Sequence, residues 1–170
     1  MASPFLPDRP LHAEHRLPSL GKSMEAEYSF RPANLGDQAQ LFELYRSVMG
    51  GYVEQIWGWD SRWQENDFSE HFDPEQVTVV VSEEQAVGYA QVENRGRELY
   101  VRMLLLAPEH QNKGIGANVL KRVIAGASEQ HLGVTLQVFK INARAKRFYE
   151  HHGFRVIGET PTSFEMAFDA

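Results

Sequence analysis

Between Met103 and Ala127 the chain has little choice but to fold as a strand, a tight turn and a helix. The apolar run Met103 to Leu106 breaks at Pro108, and Gln111-Asn112-Lys113-Gly114-Ile115-Gly116 then opens the amphipathic stretch Ile115 to Ala127. A helix that starts there presents unpaired backbone N–H groups and the positive end of its dipole, which together make a cradle for an anion. Gly114 and Gly116 suit that use, because a Cβ would keep a phosphate from the amides and would resist the dihedrals of the turn. Two familiar phosphate patterns are excluded. A P-loop closes on Gly-Lys-[Ser/Thr], whereas Lys113 precedes its glycine. A dinucleotide loop needs a third glycine where Val119 stands, and an acidic residue about twenty positions on inside a βαβ unit.

Around this unit the periodicity predicts a mixed α+β chain. Tyr28-Ser29-Phe30-Arg31 reads as a first strand stopped by Pro32. Asp37 then opens a helix with Leu41, Leu44, Tyr45 and Val48 on one face, ended by Gly50-Gly51. Tyr52 to Phe72, rich in aromatic and acidic residues, predicts one or two short helices. Val77 to Val81, Ala86 to Glu93 and Glu98 to Leu106 read as strands, the last two a hairpin around Arg95-Gly96. After the glycine turn and a helix to about His131, Val134 to Phe139 alternates as a strand. Asn142 begins a helix that Gly153 ends, and Phe154 to Ile157 and Phe164 to Phe168 are two closing strands.

The length of 170 residues fits one domain with a substantial core. Residues 1–23, with Pro4, Pro7, Pro10 and Pro18, read as a flexible extension, and Met24 stands where a natural initiator would. A net charge of −6 argues against nucleic acid as a partner, because neutralising phosphates needs a basic face. No apolar run is long enough to span a bilayer. The absence of cysteine excludes disulfides, thiolate metal sites and a cysteinyl acyl intermediate, and suits a reducing cytoplasm. His110, His131, His151 and His152 lack the spacing of a metal site, so no metal is expected. Lys121-Arg122 reads as a solvated helix face, and Arg144-Lys146-Arg147 stands close to the anion cradle in sequence.

Gln111-x-x-Gly114-x-Gly116, followed by Asn142-Ala143-x-Ala145-x-x-Phe148-Tyr149 and Gly153-Phe154, resembles the GNAT superfamily of acetyl-coenzyme A-dependent N-acetyltransferases. The resemblance covers roughly Glu27 to Phe168. It implies a mixed, mostly antiparallel central sheet flanked by helices. It implies that main-chain groups of Leu104, Leu105 and Leu106 pair with the pantetheine arm of the coenzyme. The amides of Asn112, Lys113, Gly114, Ile115, Gly116 and Ala117 would hold its pyrophosphate, with Gln111 and Ala145 also at the site. Asn142 is a good helix N-cap, and the resemblance gives it a bond to the pantetheine amide as well. Tyr149 lies about two helical turns after Asn142, so both can face one groove, where its hydroxyl would protonate the departing thiolate. Exposed late strands of this fold often pair, so the resemblance also implies a homodimer, which the sequence itself does not show.

The resemblance leaves the base that deprotonates the amine unassigned. Relatives carry a glutamate where this chain has Gln137 or Tyr100, and Glu98, Glu93, Glu54 or a chain of waters are the alternatives. The acceptor pocket is expected from Tyr52 to Asp60, with Tyr52, Glu54 and Trp57 joined by Glu93. There the aromatic faces would cover the acceptor, and Glu54 and Asp60 would attract an ammonium, favouring a primary amine of a small molecule or a peptide. Trp59 is expected to be structural and Trp57 to stand near the pocket. The expected reaction is direct transfer of acetyl in a ternary complex. The alternative is a noncatalytic module that binds acyl-coenzyme A as a sensor.

Overall fold

The computed structural model describes residues 28–169, so the extension at 1–23 and the reading of Met24 lie outside the described residues. Seven strands form one sheet: β1 (Ser29–Pro32), β2 (Val77–Ser82), β3 (Gln85–Asn94), β4 (Glu98–Leu106), β5 (Gly133–Phe139), β6 (Arg155–Glu159) and β7 (Ser163–Phe168). Their spatial order is β1-β2-β3-β4-β5-β7-β6. Every neighbouring pair is antiparallel except β4 and β5. A parallel pair cannot be closed by a hairpin, and the crossover is the helix α3 (Ile115–Glu129). The expected α+β sheet is therefore present.

Strand alternation gives the sheet two apolar faces. On one, Leu99, Val101, Leu136, Val138 and Met166 pack against Leu120, Val123 and Ala127 of α3 and against Tyr149 of α4 (Ala143–His151). On the other, Val77, Val79, Tyr89 and Leu105 receive Leu41 of α1 (Gln38–Trp57), with Phe68 of α2 (Ser61–His71) beside it. The start of α1 is clamped to the sheet. Asp37 accepts two hydrogen bonds from the Arg31 guanidinium of β1, at 2.7 and 2.8 Å, and one from the Asn34 N–H at 2.8 Å.

One boundary differs from the sequence reading. Gly50-Gly51 does not end the first helix; α1 runs through both to Trp57 and stops at Gly58, whose φ is +80°. Each glycine costs a helix interior about 1 kcal/mol relative to alanine, while burying a valine contributes about 1.5–3 kcal/mol. Val53, fully buried one turn beyond Gly50, and the Trp59 ring packed beside Gly50 hold the helix together. Tyr52 thus belongs to α1 itself.

Two outcomes follow for stability. A Cβ at residue 51 meets no atom within 4 Å, so Gly51→Ala should raise the unfolding free energy by about 0.5–1 kcal/mol. Denaturant unfolding that shows no gain would contradict a helix continuous through this position. The hydrogen bonds from Arg31 hold the Asp37 carboxyl below its ordinary value of 3.8, against the opposing effect of burial. That contribution to stability is complete above the ordinary value and is lost as pH falls through the lower folded value. The stability gap between wild type and Asp37→Asn should stay level from neutral pH to about 5 and then narrow. A gap that persists unchanged to the acid limit of folding would refute the assignment.

Candidate active site

β4 and β5 are paired only from Glu98↔Gly133 to Val101↔Leu136, although β4 continues to Leu106 and β5 to Phe139. Beyond that point each keeps its outer neighbour, β3 for β4 and β7 for β5, so their inner edges diverge and leave a notch in the sheet. The divergence begins at a bulge. Gln91 pairs with Met103 and Val92 with Val101, which leaves Arg102 as the extra residue in β4.

Hydrogen-bond parity decides which main-chain groups face the notch. The Ala107 N–H donates to the Val87 carbonyl at 2.8 Å, so alternation turns the N–H and C=O of Leu105 toward β3 and those of Leu104 and Leu106 toward the notch. The Leu106 carbonyl there accepts from Gln111 Nε2 at 2.9 Å. Of the three leucines, two therefore offer main chain to a ligand, and the side chain of Leu105 is core on the α1 face.

The glycine turn leads from β4 into α3 as the sequence implies. Gly114, with φ +80°, is the residue before the first helical turn, and Asn112 also has a positive φ of 61°. Gly116 is different. It lies within the helix, and a Cβ there would sit 3.6 Å from the Phe148 ring, an ordinary contact. The fold itself has no need of glycine at 116; an approach of a ligand to the helix start would have one. Ile115 turns its side chain into the core and has only its amide at the surface of the turn, while Lys113 is exposed.

Helix α4 closes the other side. Asn142 Oδ1 accepts from the Ala145 N–H at 3.1 Å, the N-cap expected of it. Tyr149 is buried, with its ring edge-on to Phe148 and Phe154 at 5.2 and 5.6 Å. Burial raises its pKa far above the ordinary tyrosine value, so the phenol stays protonated at any working pH.

These pieces border one groove of about 1000 Å³. Leu104, Leu105, Leu106, Gln111, Asn112, Gly114, Gly116, Ala117, Asn142, Ala145 and Tyr149 line it, and Tyr52 joins from α1. The sequence reading missed Ser47, Val48 and Met49, which line it from α1. Their spacing with Tyr52 is helical, a signal hidden by ending the helix at Gly50. A second cavity under α2, near Tyr45, Asp67, His71 and Arg102, is about 80 Å³ and too small for a substrate.

Three residues expected at the acceptor side stand outside the groove lining. Glu54 Oε2 accepts from the Trp59 N–H at 2.6 Å and closes the end of α1. Trp57 is 63% exposed and packs edge-on against Phe139 at 5.6 Å. Glu93 is bound by Arg102 and, at 2.9 Å, by Arg95. Burial pushes its carboxyl up, but the hydrogen bonds from both guanidinium groups outweigh this and hold it below the ordinary value. Asp60 is likewise engaged, capping α2 through the Trp63 N–H at 2.9 Å. Trp59 packs among Phe42 and Tyr45, a structural place as expected. No Asp or Glu is among the described residues that line the groove. Nor do the described residues contain a His, Cys, Asp and Glu group able to hold a metal, or a helix long and apolar enough to cross a membrane.

Comparison with known proteins agrees with this geometry. The fold is shared with the PaiA N-acetyltransferase of Thermoplasma acidophilum, solved in complex with coenzyme A, at 18% identity over 84% of this chain and 99% of that one, with a TM-score of 0.69. It is shared with Arabidopsis thaliana Naa50 bound to the bisubstrate analogue CoA-Ac-MVNAL, at 17% identity over 85% and 100% of the two chains, TM-score 0.63. Arabidopsis thaliana NAA60, also bound to a bisubstrate analogue, matches at 18% identity over 83% and 97%, TM-score 0.60. No curated protein matches the chain. The family model of the acetyltransferase (GNAT) domain matches residues 52–165, from the groove-facing end of α1 to β7, and the chain belongs to that family of acyltransferases.

Proposed function

We propose that the protein transfers an acetyl group from acetyl-coenzyme A to a primary amine of a small molecule or peptide, directly and in a ternary complex. The observation that carries this reading is the continuous groove from the start of α3, through the β4–β5 notch, to α1, with the Tyr149 side chain along it. The α3 amides and the inner edge at Leu104 and Leu106 suit the phosphates and the amide-bearing arm of the donor. The amine nitrogen attacks the thioester carbonyl, the carbon–sulfur bond breaks, and Tyr149 gives its proton to the sulfur. Burial keeps the phenol protonated before attack and also makes it a weak acid, so its proton moves only as the carbon–sulfur bond breaks and charge develops on the sulfur. With no carboxylate among the described residues that line the groove, the proton lost by the amine passes to water, and Tyr149 regains its proton from water.

The acceptor end, formed by Ser47, Val48, Met49 and Tyr52 of α1, carries no charge, and Glu54 and Asp60 are both engaged as caps. Selection there rests on shape and apolar contact rather than on attraction of an ammonium. The same reading puts the enzyme in the cytoplasm, a reducing compartment that suits a cysteine-free chain.

The test is thiol release from acetyl-coenzyme A against a panel of small amines and peptides. Turnover with at least one acceptor is expected; coenzyme binding without transfer to any would favour the sensor reading. On a substrate so found, Tyr149→Phe should lower kcat by about 10²–10⁴-fold, and an unchanged kcat would remove Tyr149 as the acid. Gly116→Ala should leave the melting temperature nearly unchanged while raising KM for acetyl-coenzyme A by about tenfold or more, as crowding of one charge-assisted hydrogen bond would. An unaltered KM would show that no phosphate approaches this helix start.

A further inference from the structure

The charge of the groove is one-sided. Among the described residues that line it, Arg144, Arg147 and His151 are the basic ones, all three on α4, and none is acidic, in a chain of net charge −6. They lie on a different stripe of the helix from Asn142, Ala145 and Tyr149, with Phe148 between. Phe148 lies beside Gly116, and the arginine stripe next to it borders the glycine turn at Asn112. Arg144 is held there: its Nη2 donates to Asn112 Oδ1 at 2.7 Å, which ties α4 to the turn and leaves its other N–H donors free. Neither Arg144 nor Arg147 has a carboxylate partner among the described residues, whereas Arg31, Arg95 and Arg102 each do.

A pyrophosphate at the α3 start already has the amides and the dipole of that helix. A second, separate set of cations, one helical turn apart, fits a second anionic group on the same ligand. Coenzyme A carries such a group, the 3′-phosphate of its ribose, and planar guanidinium forks suit a phosphate monoester. Resting on the acyl-coenzyme A reading above, we infer that Arg144 and Arg147 bind the ribose 3′-phosphate. They make this enzyme selective for free coenzyme A thioesters over dephospho-coenzyme A and over thioesters carried on a protein-bound pantetheine.

Titration calorimetry of the whole protein with coenzyme A and with dephospho-coenzyme A, at one fixed low salt concentration, tests this. The wild type should bind dephospho-coenzyme A about tenfold to a hundredfold more weakly, the scale of one or two charge-assisted hydrogen bonds. Arg147→Ala and Arg144→Ala should each weaken coenzyme A by about tenfold and change dephospho-coenzyme A by less than about threefold, so that the discrimination shrinks. Lys121→Ala, on α3 outside the groove, should shift neither ligand and controls for a loss of net positive charge. Melting curves of the three variants should coincide with that of the wild type. Equal wild-type binding of the two ligands overturns the inference alone, and so does a parallel loss of both in the arginine variants, which would assign these side chains to the pyrophosphate. Failure of the wild type to bind either ligand overturns the acyl-coenzyme A reading itself, and this inference with it.

Discussion

The structure turns on the place where two parallel strands stop pairing. Beyond Val101 and Leu136, β4 and β5 keep their outer partners and lose each other. Backbone N–H and C=O groups left unpaired away from water are expensive, of the order of 1–3 kcal/mol each, so an open inner edge must be wetted or matched by a ligand that supplies the missing bonds. The bulge at Arg102 creates the divergence, and the crossover helix α3 brings its amide-bearing start to the same opening. A donor with an amide-bearing arm and a pyrophosphate meets both requirements at once.

Keeping such a notch open requires that the rest of the sheet be well secured. The face under α3 and α4 is sealed by Leu120, Val123, Leu136 and Met166, and the opposite face by Leu41, Val79, Tyr89 and Leu105. At Tyr149, packing also sets the protonation state of a side chain. Phe148 and Phe154 fix its ring, and the burial that fixes it also keeps its hydroxyl protonated. Tyr149 is thus placed by rigid elements rather than by a loop. Along α4, one stripe faces the notch and the other, with Arg144 and Arg147, makes the basic side of the groove.

Much of this was legible from local sequence. The glycine turn, the Asn142 cap and the Tyr149 spacing depend on residues near one another in the chain, and the structure places all of them along the same groove. The reading failed where a distant contact outweighed a local preference. Gly50-Gly51 is a helix breaker by propensity, yet Val53 in the core and Trp59 packed beside Gly50 carry α1 through it. Glu54 and Asp60 look like an acidic mouth in one dimension, but Glu54, in the last turn of α1, accepts from the Trp59 N–H, and Asp60 accepts from the Trp63 N–H at the start of α2.

By itself, then, the sequence determined the class of fold, the order of its elements and the glycine turn before α3, because strand alternation, helical period and the left-handed dihedral at Gly114 are short-range demands. Only the tertiary structure decided which strand edges stay unpaired, that Leu104 and Leu106 rather than Leu105 face the notch, and that the groove is basic along α4 and uncharged along α1. Those outcomes depend on sheet register and on partners far apart in the chain, and neither is encoded in the spacing of neighbouring residues.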